Sequence, residues 1–529
     1  NESILRRAFA YAFDKTEVTT DILDGFSQEH DSLVPFTNGW CVEDQFAYHY
    51  YTDQSTIGND LLNASGDFEI NPSTGFREYK GQPFDIQIEY PSTSPEIAGG
   101  VAQIGVDALT RLHINAEIIS VDYYEMRSRI DAHGDYDVVF DAERFDDYDV
   151  DWLAYDYWSD YADVEYQNPS NFENMTYDFW RDQLLYGTTY EEVHDASTEM
   201  QKILQYNVPR LVVYENTYMQ GYRNDVYTGH TEDLGSYITG QWTMRKIHKI
   251  DESPGGTLPV AIGQEPDSFN HFITDAKESK TILSNLYSSL FKRGPDLNPW
   301  PDLAVNLLTE THDTNTGIPE GHTRYTIDII QNATWSDGTP LTADDVAFTF
   351  IYQFESAAYG NPLGLDLSDL VIAYAPTDYT AIIEFSTESY WTFSNFAFDY
   401  IIPEHIFNDD TGIGYEGWST WNPIFDDSHP FVTSGPFIFT DFEYGEFFEI
   451  SKNVDFYYAP EVSTTTTTTT TTTTITSTTT STTGTTTSST TTNTNSTGGD
   501  ILGTITLMIS LGSITVIIVV ICLITKSQK

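Results

Sequence analysis

From Ser463 to about Thr497 the chain is almost pure threonine and serine, with Gly484 inside the run. Such a tract has too little apolar surface to offset the entropy of ordering it, so no core can include it. Its composition is that of an O-glycosylated stalk, which in extended form reaches on the order of 100 Å at about 3 Å per residue. The tract divides the chain: residues 1–460 carry the alternating helix and strand signals, and an apolar run follows the tract.

Beyond the tract lies Ile501 to Thr525, a run without a charged residue and long enough to cross a bilayer as a helix. Lys526 and Lys529 come next, which puts the C-terminus on the cytoplasmic side and residues 1–460 outside. The competing readings are a buried core helix and a cleaved lipid-anchor signal, although such signals usually end without basic residues. Asn63, Asn174, Asn332 and Asn495 each begin an Asn-x-Ser/Thr site, in keeping with an exported chain. Asn1 stands directly before a helical pattern with no methionine or leader, so the sequence reads as a fragment or processed product.

The 24 Lys and Arg against 80 Asp and Glu leave a formal charge of −56. A surface of that sign repels nucleic acid and anionic lipid, so DNA or RNA partners are not expected. Of the two cysteines, Cys41 lies in the folded part and Cys522 in the apolar run, so neither a disulfide nor a zinc site is expected.

Residues 1–460 interleave helical and strand patterns. Ile4, Leu5, Ala8, Phe9 and Ala12 fall on one helical face, "VAQIGVDALTRL" (101–112) is a second helix, and "AEIISVDY" and "DVVFDAERF" are strands. In "TRYTIDII" the alternation turns Tyr325, Ile327 and Ile329 inward. Ser336-Asp337-Gly338 is a turn, and Thr342 with Asp345 three residues on is an acidic variant of the capping box. The class is therefore α/β with α+β elements.

Longer stretches carry a resemblance. "GGTLPVAIGQEPDSFNHF", "ILSNLYSSLFKRGPDLNPWPDLAVNL", "YTIDIIQNATWSDGTPLTADDVAFTF", "IIPEHIF" and "SGPFIFTDFEYGEFFEISKNVDFYY" resemble, in order, the first lobe of the extracellular solute-binding proteins of family 5, the oligopeptide, dipeptide and nickel-binding components of ABC importers. "LRRAFAYAFDKTEVTTDILDG", "REYKGQPFDIQIEY", "YDVVFDAERFDDYDVDWL" and "MQKILQYNVPRLVVYENTYMQGYRNDVYTG" resemble that family's other half. The late half thus precedes the early one. The resemblance implies a two-lobed, periplasmic-binding-protein-like fold of the large peptide-binding type. Residues 1–205 would form a second-lobe-like half, 206–252 a return segment and 255–460 a first-lobe-like half. The stalk (463–499), the transmembrane helix (501–525) and a cytoplasmic tail (526–529) would complete the chain. Either the halves close on each other as a permuted domain, or the second is a spare lobe beside a domain that begins upstream.

The resemblance also implies a ligand site between the lobes. Read without gaps from Tyr136-Asp137, the family's amine-binding aspartate falls on Asp146, with Asp147 beside it. A carboxylate accepting from an ammonium makes a charge-assisted bond worth about 1.5–3 kcal/mol. Tyr148 and Trp152 would wall the ligand, and Asn270 and Tyr287 would line the opposing lobe. The plain alternative is an acidic, solvated loop. Asp147-x-Asp149-x-Asp151 also opens like a calcium-binding EF-hand loop, but Trp152 and Trp158 occupy the positions that need glycine and glutamate. "GIGYEG" (412–417) lacks the strand before and the helix after that a dinucleotide site requires. No nucleophile elbow, zincin helix or phosphate loop is present, so neither an enzyme nor a cofactor is expected. The expected function is an anchored binding protein that passes peptides or similar solutes to an ABC transporter permease. The alternative is a surface recognition or structural protein that reuses the lobes without transport.

Overall fold

The computed structural model describes residues 2–144, 148–235, 237–274, 276–458 and 515–521. The chain begins with α1 (Glu2–Ala12), which buries Leu5, Ala8, Phe9 and Ala12 as the periodicity requires, with Ile4 at the margin. It packs on α2 (Ser55–Ser65). Gly58 makes that approach possible: a Cβ there would lie 2.6 Å from the Ala8 carbonyl oxygen and 2.8 Å from Leu112 Cδ2.

The first sheet contains β1 (Ser27–Glu29), β2 (Asp85–Pro91), β3 (Asn115–Val121), β4 (Val138–Arg144) and β5 (Arg210–Asn216). α3 (Ile97–Arg111) crosses from β2 to β3, which run parallel, and β4 joins the other side of β2, also parallel. Side chains alternate between two cores. Val138, Phe140, Leu211 and Val213 face α1 and α3. Val139 and Val212 face the layer of α4 (Met175–Tyr186) and α5 (Tyr190–Asn207). A sheet covered on both faces needs nearly continuous apolar strands, which is why "VVF" and "LVV" show no polar alternation.

In the second half, β6 (Phe291–Arg293) and β7 (Pro299–Pro301) form a hairpin. A four-stranded antiparallel sheet comes next, built from β8 (Ala304–Thr311), β9 (Thr323–Ile329), β10 (Leu370–Thr377) and β11 (Thr380–Phe385), in the order β8-β9-β11-β10. Tyr325, Ile327 and Ile329 point into its core, as their alternation predicts. α6 (Ala343–Ser356) packs on β10 and β11. The expected capping box is present, with the Thr342 N–H donating to Asp345 Oδ2 at 2.9 Å. The Trp335 indole and the Glu404 N–H also donate to Asp345, so this carboxylate ties three segments together.

The segment after β5 lies against the second half: the Trp242 indole donates to the Arg293 carbonyl (2.8 Å), and Arg245 pairs with the buried Asp302 (3.3 Å). Within the expected return segment 206–252, Arg210–Asn216 form a strand of the first sheet, and the contacts with the second half come after it.

The Thr/Ser stalk, Asn495 and the cytoplasmic tail lie outside the described residues. Among the described residues no helix is long and apolar enough to cross a membrane. Of the expected membrane span, the described part is β12 (Thr515–Ile521), a strand between β4 and β5 and antiparallel to both. The first sheet thus has the order β1-β5-β12-β4-β2-β3.

Candidate ligand-binding cleft

The two halves meet along a seam, and a cavity of about 410 Å³ opens in it. The first half contributes Asn38, Trp40, Tyr148, Asp149, Thr188 and Tyr190. The second contributes the hairpin from Arg293 to Pro299, Thr309, Thr311, Thr323 and Tyr325 on the sheet, and the loop from Glu388 to Ser394.

One end of the seam is fixed by Trp391. This residue of the second half is 5% exposed and belongs to the core formed by α4 and α5 of the first. Its indole donates to the Leu184 carbonyl at 2.7 Å and its ring lies 5.4 Å from that of Trp40. Beside it the Ser389 hydroxyl donates to the Leu185 carbonyl and the Tyr390 N–H to the Gly187 carbonyl. Across the cavity Arg293 Nη2 meets Asp149 Oδ2 at 2.5 Å, an ion pair that spans the two halves. The Tyr148 hydroxyl donates to the Gly235 carbonyl, and Asn38 Nδ2 donates to the Tyr148 carbonyl.

The structure separates the residues expected from sequence. Asp146 and Asp147 lie outside the described residues. Tyr148 lines the cavity. Trp152 packs against the core of α4 and α5 and does not line it. Asn270 is fully buried: its amide donates to the Trp418 and Trp421 carbonyls (2.7 and 3.1 Å) and its oxygen accepts from the Phe272 N–H. It pins a loop, and its burial keeps it away from the seam. Tyr287 is also fully buried, stacked on Tyr400 at 5.3 Å, and burial raises its hydroxyl well above the ordinary value. These two positions are therefore interior: Asn270 holds a loop, and Tyr287 ends the helix Lys277–Leu286 inside a small aromatic cluster. Sequence reasoning missed Trp40, Arg293, Glu388 and Tyr390, residues that look ordinary until the halves meet. Asp149, one of the aspartates of the EF-hand-like run, is matched with Arg293.

A second polar cluster, on the first half, is internal. Lys15 and Asp31 form a buried ion pair, and Asp31 also meets His49 at 3.0 Å. Glu43 accepts from the backbone N–H groups of Asp31 and Ser32 and from the Tyr51 hydroxyl, with His30 Nδ1 at 2.5 Å. Burial pushes the Glu43 carboxyl up, but His30, Tyr51 and the backbone donors outweigh it and hold the group down at about 2. Cys41 is within reach of His30 and Glu43, and burial raises its thiol to about 11. The set has metal-ligating chemistry, yet Lys15 and the surrounding donors already compensate its carboxylates, so it serves as a polar core.

Residues 304–491 match the family "Bacterial extracellular solute-binding proteins, family 5 Middle". A curated relative, the oligopeptide-binding protein AppA of Bacillus subtilis, is 28% identical over 215 residues; the match covers 40% of this chain and 36% of that protein. The solved structure of AppA in complex with a nonapeptide is similar at 12% identity and a TM-score of 0.35, over 40% of each chain. An oligopeptide-binding protein of Thermotoga maritima, solved with mannohexaose, is similar at 17% identity and a TM-score of 0.37, over 47% of this chain and 49% of that one. The chain thus spans under half the length of each of these proteins.

Proposed function

From the match of residues 304–491 to the family 5 extracellular solute-binding proteins, we propose that this chain captures peptides or similar small solutes between its halves and delivers them to an ABC importer. The observation that carries the reading is the cavity in the seam, lined from both sides and bridged by Asp149 and Arg293. A site built from two bodies can couple binding to their closure, which is how two-lobed binders trap a solute. The halves then work as one permuted domain. Asp146, with Asp147 beside it in the chain, holds the solute's amine end, and Tyr148 walls the solute.

Residues 501–525 anchor the domain in the membrane and the Thr-rich stalk lets it swing, with its binding face outside the cell. Anchoring requires Thr515–Ile521 to leave the sheet, because a segment cannot pair with β4 and β5 and cross a bilayer at once. Alkaline extraction of membranes checks this: the full chain should stay with the lipid and a chain ending at residue 500 should not. Recovery of the full chain in the soluble fraction would assign the run to the sheet.

A second reading, a surface recognition protein without a transport role, is favoured by Trp391, which fastens one half into the core of the other. One experiment separates the two. The melting temperature of the protein is followed against di- to hexapeptides, sugars and metal chelates, since a ligand that binds only the folded state raises it. A shift with peptides that is lost in Asp146→Ala supports capture for import; no shift with any solute supports the recognition role.

A further inference from the structure

The charge inside the cleft is unbalanced. Among the described residues its lining holds one cation, Arg293, and that cation is matched by Asp149. Asp296 and Glu388 remain, so the lining carries a net charge of two negatives. Asp296 is held by the N–H and side-chain amide of Asn298, which orient its carboxylate without neutralising it. Glu388 meets no cation among the described residues. It stands directly before Ser389 and Tyr390, both hydrogen-bonded across the seam to Leu185 and Gly187, so its backbone is fixed at the junction of the halves. Around these carboxylates stand aromatic rings from both sides: Trp40, Tyr148, Tyr190, Tyr325, Tyr390 and Phe393. Fixed negative charge between low-dielectric walls concentrates cations, and aromatic faces add attraction for ammonium or guanidinium groups.

Building on the capture function above, we infer that the cleft selects solutes carrying positive charge beyond a peptide's terminal amine, such as lysine- or arginine-containing peptides or polyamines, and that Glu388 is the residue that makes the selection. An anionic solute would meet Asp296 and Glu388 with only one guanidinium, already engaged. A cationic one replaces water on both carboxylates and leaves the Asp149–Arg293 pair intact.

The test is calorimetric binding of tri-lysine, tri-alanine, tri-glutamate and spermidine to the whole protein, to Glu388→Gln, and to Asp107→Asn, which removes an exposed carboxylate on α3 away from the cleft. One charge-assisted contact corresponds to about tenfold or more in affinity. The inference expects tri-lysine to bind at least about tenfold tighter than tri-alanine. Glu388→Gln should lose that preference, and Asp107→Asn should keep it. Equal binding of the three tripeptides overturns the inference and leaves peptide capture standing. Equal loss in both variants overturns it in favour of general attraction to an acidic surface. Spermidine binding that Glu388→Gln weakens, with no tripeptide bound, upholds the cationic cleft and overturns the peptide reading. No binding of any probe overturns both. Glu388 is partly exposed, so an unchanged melting temperature of Glu388→Gln verifies that the variant is folded.

Discussion

Buried charge sets the sharpest expectations for single residues. Lys15 and Asp31 are both fully withdrawn from water, so removing one leaves the other unmatched. Asp31→Ala should cost about 3–5 kcal/mol of unfolding free energy, measured by urea titration. Glu43 gives a pH signature. Its carboxyl is held at about 2 against an ordinary 4.5. Because the folded value is the lower, its contribution is complete above pH 4.5 and is lost as the pH falls from there towards 2. Urea titrations across that window should show stability falling with acidity, and Glu43→Gln should flatten the fall. None of this network was legible in the sequence. Lys15, His30, Asp31 and Glu43 look like surface residues of an acidic protein, and only the tertiary packing of their separate segments buries them.

Among the elements, the periodic ones could be read in advance and the close contacts could not. α1, α3, β9 and the Thr342–Asp345 cap derive from the spacing of apolar and capping residues, because local geometry alone decides which side chains share a face. Gly58 is different. It sits in a helix where glycine costs stability, and its reason lies on another element, the Ala8 carbonyl. Gly58→Leu should destabilise the protein by about 1–3 kcal/mol through overpacking, seen as a lower melting temperature. The apolar run at 501–525 shows a limit of hydropathy: a strand covered on both faces and a membrane span require the same residue types. Length favours the span, and the pairing of β12 with β4 and β5 supplies the other solution.

For the molecule as a whole, the seam governs behaviour. Trp391 joins the second half to a core of the first, so the folded part should melt as one cooperative unit by calorimetry. Trp391→Ala should cost about 3–5 kcal/mol and separate the transition into two. The net charge of −56 acts on every part at once, and salt screens that self-repulsion over a Debye length of about 10 Å at 0.1 M ionic strength. Raising potassium chloride from about 0.1 M to about 1 M should therefore raise the melting temperature, and a fall would show that specific surface pairs dominate instead. The mixed α/β class and the family 5 match over residues 304–491 were legible in the chain. Each rests on ordered motifs and short-range periodicity that survive in one dimension. The cleft was not. Asn270 and Tyr287 went to the interior while Trp40, Arg293 and Glu388 came to the seam. Those assignments depend on contacts between residues hundreds of positions apart, and only the docking of one half on the other decides which polar groups are buried, which are matched and which are left to meet a ligand.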